Sequence, residues 1–153
     1  QGTILNARTG TFYATTLSAN SASNTHTFVW TTSDGTQYTN SITLPTEFSI
    51  TYPTSSTSHA KSIALEISTT PTKNPVEEIW YYQITGPDID EGTRSHMTTS
   101  ALISTENIQN FKTGQQTLTV TSTKSETPQQ GHSKVGGNIS SKISKEVSFT
   151  LSN

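Results

Sequence analysis

The sequence predicts an all-β fold, a two-sheet antiparallel sandwich of the Ig-like or jelly-roll type. Three observations carry that expectation. Strand signals recur roughly every ten residues, separated by polar, Pro- or Gly-containing stretches. No stretch shows the apolar spacing of an amphipathic helix of three turns. The last fifteen residues alternate almost without a break. Ile139, Ile143, Val147, Phe149 and Leu151 fall on odd positions, and Ser140, Lys142, Ser144, Glu146, Ser148 and Thr150 on even ones. Successive side chains on a strand point to opposite faces, so this segment reads as one long strand with a greasy and a wet face.

Each element has its own signal. Phe12, Ala14 and Thr16 alternate with Tyr13, Thr15 and Leu17. His26, Phe28 and Trp30 then share one face, with Thr27, Val29 and Thr31 on the other. Asp34-Gly35 follows and predicts a hairpin, because glycine supplies a positive φ without steric cost. The return strand carries Tyr38, Ile42 and Leu44 before Pro45. Phe48, Ile50 and Tyr52 form the next alternating run, stopped by Pro53. Pro53–Ala60 reads as a loop, and Ile63, Leu65 and Ile67 as a strand. Val76–Thr85 places Trp80, Tyr82 and Ile84 on one face and Ile79 and Tyr81 on the other, the pattern of a strand that is central in its sheet or covered on both sides. Ala101–Ser104 and Leu118–Val120 read as short strands. Thr105–Asn110 is expected to make one helical turn capped by Thr105, and Ser125–Asn138 a long loop.

At 153 residues the chain is expected to form one domain, 1–153. Ser and Thr make up about a third of it, and the formal net charge is only −2. Between Gln1 and Ala60 the only charged residues are Arg8, Asp34 and Glu47. Nucleic acid as a partner would want clustered Lys and Arg, which are absent. No apolar run reaches the length of a membrane-spanning helix. The absence of cysteine excludes disulfides, thiolate metal sites and a Cys nucleophile. A chain beginning at Gln1, rich in Thr, Ser and Asn, is expected to be exported and extracellular.

Candidate sites are few. Asp88, Asp90 and Glu91 sit on the Gly/Pro-rich stretch Gly86–Gly92, where clustered oxygens suit Ca²⁺, though the spacing is not that of an EF-hand. A solvated turn is the simpler account of them, and no metal is assigned. His26, His59, His96 and His132 show no metal-pair spacing; His26 is placed on a strand and the others in loops. Glu77-Glu78 are adjacent on a strand, so they point to opposite faces and cannot flank one glycosidic bond. Neither a nucleophile elbow nor a phosphate loop is present, and the chain is read as a non-enzyme without cofactor. An internal Lys–Asn or Lys–Asp amide crosslink would need an inward-facing acid, Glu66 or Glu78, and the pattern points Glu66 outward. Among the aromatics, Trp30, Trp80 and Tyr82 are assigned to the core. Tyr81 is the candidate exposed ring for stacking on a sugar.

The chain's end resembles that of cysteine-free fimbrial subunits assembled by donor-strand exchange. The resemblance rests on Gly137-Asn138 leading into the alternating strand Ile139–Leu151 and covers about a fifth of the chain. It implies a β-sandwich subunit of a surface filament or pilus, acting in adhesion, whose partners are copies of itself. It also implies an N-terminal donor segment over residues 1–10, with Ile4, Leu5 and Ala7, continuing to Phe12 and Ala14, as interface residues. Ile139, Ile143, Val147, Phe149 and Leu151 are their counterparts at the other end. Asn6, Arg8 and Thr9-Gly10 interrupt the N-terminal alternation, a departure from the family pattern. The competing expectation is a monomeric module of a secreted or phage protein that binds a cell-surface glycan or receptor.

Overall fold

A computed structural model describes residues 6–7, 13–14, 24–32, 34–70, 77–86, 93–98, 100–131 and 137–153. The described chain is all-β apart from one helical turn. β1 (Asn6–Ala7) pairs antiparallel with β2 (Tyr13–Ala14). β3 (Thr25–Thr31) and β4 (Gln37–Thr43) form the hairpin expected around Asp34-Gly35, and Gly35 has a φ of 87°. A side chain at Gly35 would be strained there. The Asp34 carboxylate closes the turn by accepting from the Thr32 hydroxyl and, at 3.1 Å, from the Thr36 backbone N–H.

Next come β5 (Ser49–Tyr52), β6 (Ser58–Ala60) and β7 (Leu65–Thr70). They are followed by β8 (Glu78–Thr85), β9 (Thr93–Met97) and β10 (Ser100–Ile103). α1 (Thr105–Ile108) is a single turn, capped by Ser104 rather than Thr105, whose side chain accepts from the Asn107 N–H. The cap lies one residue earlier than expected because Ser104 keeps an extended backbone while its hydroxyl faces the first turn. Ile108 anchors the turn in the core. β11 (Gly114–Glu126) and β12 (Ile139–Ser152) complete the chain.

Two larger sheets result. One has the order β10-β7-β5, the other β6-β12-β11-β8-β9. Both contribute to one apolar cluster. Phe48, Leu65, Ile67 and Ile103 come from the three-stranded side, and Trp80, Ile84, Leu118, Val120, Phe149 and Leu151 from the five-stranded side. Phe48 meets Trp80 at a ring-centroid distance of 4.6 Å. At the end of the cluster, buried Gln116 packs so tightly on Gly86 that a Cβ there would lie 2.1 Å from Gln116 Oε1.

Several expectations need correction. The short strand at Leu118–Val120 is the middle of a thirteen-residue strand that takes in Ser125 and Glu126, which had been assigned to the loop. Its pairing with β12 runs unbroken from Gly114↔Leu151 to Glu126↔Ile139. Ladder bonds and hydroxyl pairs hold it where apolar residues are missing. Thr121 Oγ1 and Ser144 Oγ lie 2.9 Å apart, Thr117 Oγ1 and Ser148 Oγ 3.5 Å apart, and Thr119 donates to Glu146 at 3.3 Å. The Pro53–Ala60 loop contains β6, which pairs parallel with the end of β12, so the sheet is not wholly antiparallel. Ile63 lies before β7 and is exposed. β8 is central in its sheet, between β11 and β9, but it is not covered on both faces, since Ile79 is 56% exposed while Trp80 is 1%. Trp30 is not a core residue; it is exposed and stacks on Tyr38 at 5.3 Å. His59 and His96 lie on β6 and β9 rather than in loops.

Candidate association site at the outer edge of the final strand

β12 is internal to its sheet for only part of its length. On one side β11 pairs with it over thirteen residues. On the other, β6 pairs only with Thr150, Leu151 and Ser152. No described strand pairs with that outer side from Ile139 to Phe149.

The hydrogen bonds at the covered end show which groups face outward. Thr150 N–H donates to Thr57 O at 3.0 Å, and Ser152 O accepts from Lys61 N–H at 2.9 Å. Even-numbered residues of β12 therefore turn their backbone groups away from β11. The register has no bulge, so Lys142, Ser144, Glu146 and Ser148 do the same. Nearer the start of the strand, the Ser141 hydroxyl donates to Thr43 O at 3.0 Å, which ties it to the β4 end of the hairpin. The open stretch thus runs from Lys142 to Ser148.

This edge borders a groove of about 230 Å³ lined by Ser49, Ile50, Lys145, Glu146 and Val147, between β12 and β5. Ile50, Ile143 and Val147 are partly buried and pack against the core from this side. Lys145 forms an ion pair with Glu47. A second groove of about 360 Å³ lies between β9 and β10 and is lined by Tyr82, Ser95, Met97, Ala101 and Leu102, among others. Leu102 there is 70% exposed.

The edge of β4 is treated differently. Ser41 N–H donates to Gln129 Oε1 at 3.0 Å, and Gln129 Nε2 donates to Ser41 O at 3.0 Å. Thr39 N–H donates to Gln130 Oε1 at 2.8 Å, and Gln130 N–H donates to Asn40 Oδ1 at 2.9 Å. Two side-chain amides imitate a neighbouring strand and close this edge.

The residues singled out from sequence are placed as follows. Ile4, Leu5, Phe12, Asp88, Asp90, Glu91 and His132 lie outside the described residues. Ala7 and Ala14 belong to the β1–β2 pair. Ile139, Ile143 and Val147 are half-buried along β12, whereas Phe149 and Leu151 are buried in the chain's own core. Tyr81 is half-buried, and the more exposed ring is that of Trp30. Glu66 is exposed, as the alternation indicates.

Sequence reasoning weighed Glu78 as half of an adjacent carboxylate pair and as a possible crosslink acid, without placing it in the core. It is 6% exposed, and its carboxylate accepts hydrogen bonds from both sides. Thr46 N–H and Thr46 Oγ1 reach Oε1 at 2.8 Å, and Trp80 Nε1 at 2.9 Å and Ser122 Oγ at 2.8 Å reach Oε2. Burial opposes its charge, but these bonds outweigh burial and hold its pKa below the usual 4.5. The available signal was its spacing from Trp80 and Tyr82, which places it on the core face. His59 is also buried: its Nε2 is 3.0 Å from Ile63 O, which can only accept, so Nε2 carries the proton and Nδ1 faces the Tyr52 hydroxyl at 3.3 Å. Among the described residues no three His, Asp or Glu side chains gather as a metal site, and no helix is long and apolar enough to cross a membrane. The chain matches no family model, no curated protein and no solved structure.

Proposed function

We propose that this protein is a structural subunit of an extracellular filament or pilus, a β-sandwich whose copies join by β-strand addition, in the service of adhesion. The open edge of β12 from Lys142 to Ser148 carries the reading. An edge of that length presents main-chain donors and acceptors to any strand that approaches, and proteins blunt such edges unless they use them. Here the edge of β4 is closed by glutamine amides, while that of β12 has no such closure among the described residues. The half-buried Ile143 and Val147 beside it add apolar surface for an incoming strand to cover.

Proline at Ser144 tests this. The Ser144 N–H turns away from β11, so Ser144→Pro keeps the internal ladder and removes one outward donor. Sedimentation and negative-stain microscopy are expected to show assembly of the wild-type chain and loss of assembly in S144P, with unchanged circular dichroism. A wild-type chain that stays monomeric at high concentration overturns the reading. The alternative, a monomeric glycan- or receptor-binding module, draws support from the exposed Trp30 stacked on Tyr38. It predicts glycan-array binding that Trp30→Ala removes.

A further inference from the structure

β12, β11, β8 and β9 run alternately up and down, each antiparallel to its neighbour. The block has an even number of strands, so β12 and β9 run in opposite directions. The hydrogen-bonding alternation follows the same parity. Even residues of β12 face away from β11, so the odd ones face it, and their partners on β11 are even. The odd residues of β11 therefore face β8, where Thr117, Thr119 and Thr121 oppose Thr85, Gln83 and Tyr81. That leaves Trp80, Tyr82 and Ile84 facing β9, opposite Met97, Ser95 and Thr93. The backbone groups of Arg94 and His96 then point outward from the far edge.

The two outer edges are complementary. At both, the outward-turned residues include exposed ones, Ser144 and Glu146 on β12 and His96 on β9. The residues between them, Val147 on one strand and Met97 on the other, pack on the core. Two copies in the same orientation can thus join β9 to β12 with direction, ladder phase and core face all continued.

We propose that β9 of one copy pairs antiparallel with Lys142–Ser148 of the next, merging their sheets. This rests on the reading of association through strand edges and names the incoming strand as β9 rather than residues 1–10. In the register that centres the two segments, Arg94 opposes Glu146, His96 opposes Ser144 and Met97 opposes Ile143. The Met97–Ile143 position joins two apolar side chains. The incoming β12 brings Ile143 and Val147 toward the groove lined by Tyr82, Met97 and Ala101. Each copy uses one edge of each kind, so the contact is heterologous and can repeat from copy to copy.

The cysteine-free sequence makes a clean test. Within one copy, positions 96 and 144 are three strand spacings apart, about 14 Å, beyond the reach of a disulfide. Both are exposed, so His96→Cys and Ser144→Cys leave the core untouched. Under oxidation the double variant is expected to give a ladder of dimers, trimers and higher species that collapses on reduction. Each single variant stops at dimer. Copies that associate by sedimentation yet form no ladder overturn the β9 pairing while leaving strand-edge association standing. A double variant and a wild type that both sediment as monomers overturn the two together.

Discussion

Glu78 and Trp80 sit two residues apart on the core face of β8, and the Trp80 indole N–H donates to Glu78 Oε2 at 2.9 Å. Through the same carboxylate, Trp80 is linked to Ser122 on β11 and to Thr46, which precedes β5. Removing the acceptor leaves buried donors unmatched. Glu78→Ala is expected to cost about 3 kcal/mol. For a chain of this length that lowers the melting temperature by roughly 6–12 °C in calorimetry. Ser122→Ala removes one of these donors and should cost about 1 kcal/mol.

The same carboxylate sets an acid limit. Its folded pKa lies below the ordinary 4.5, so the unfolded chain takes up the proton first as pH falls. Its contribution is full above about pH 4.5 and is lost as pH drops through the folded value. Denaturant midpoints between about pH 3 and 7 should fall on the acid side in the wild type, with a shallower fall in Glu78→Gln.

Gly86 is required by the neighbour it faces. With a Cβ 2.1 Å from Gln116 Oε1, Gly86→Ala forces a buried side chain to move. The expected loss is about 1–3 kcal/mol. Combined with Gln116→Ala, the added cost of G86A should shrink. A double-mutant cycle by urea denaturation that shows strict additivity would contradict the contact.

The glutamine closure of β4 predicts a local effect. Replacing Gln129 and Gln130 by Ala should speed hydrogen exchange at the Thr39 and Ser41 amides. Amides in the β11–β12 ladder should be unaffected. Equal acceleration at both places would show that the loop holds the whole fold rather than one edge.

The strands with strict apolar alternation were legible in the sequence. β8, β12 and the Asp34-Gly35 hairpin are where the pattern put them. The second half of β11 was not, because Thr121, Ser122 and Thr123 carry no apolar signal. Ser122 is nonetheless fully buried, and its hydroxyl is satisfied by Glu78. A buried polar pair depends on two residues far apart in the chain, which no local period reports. Trp30 failed for a related reason. Its alternation is that of a strand, but what covers a strand's face is settled by distant segments. The open edge of β12 was legible as a question, since a long strand with one apolar face either is paired on both edges or leaves one to be paired. Which backbone groups turn outward could be read only from the ladder itself.

The rows of threonine and serine joining β11 to β12 across their wet face have a further consequence. Most of those cross-strand links are between neutral hydroxyls, and the whole chain carries few charges. Dissolved salt acts on structure chiefly by screening charge, and here it finds little to screen. Such a surface should feel much the same in dilute water as in brine.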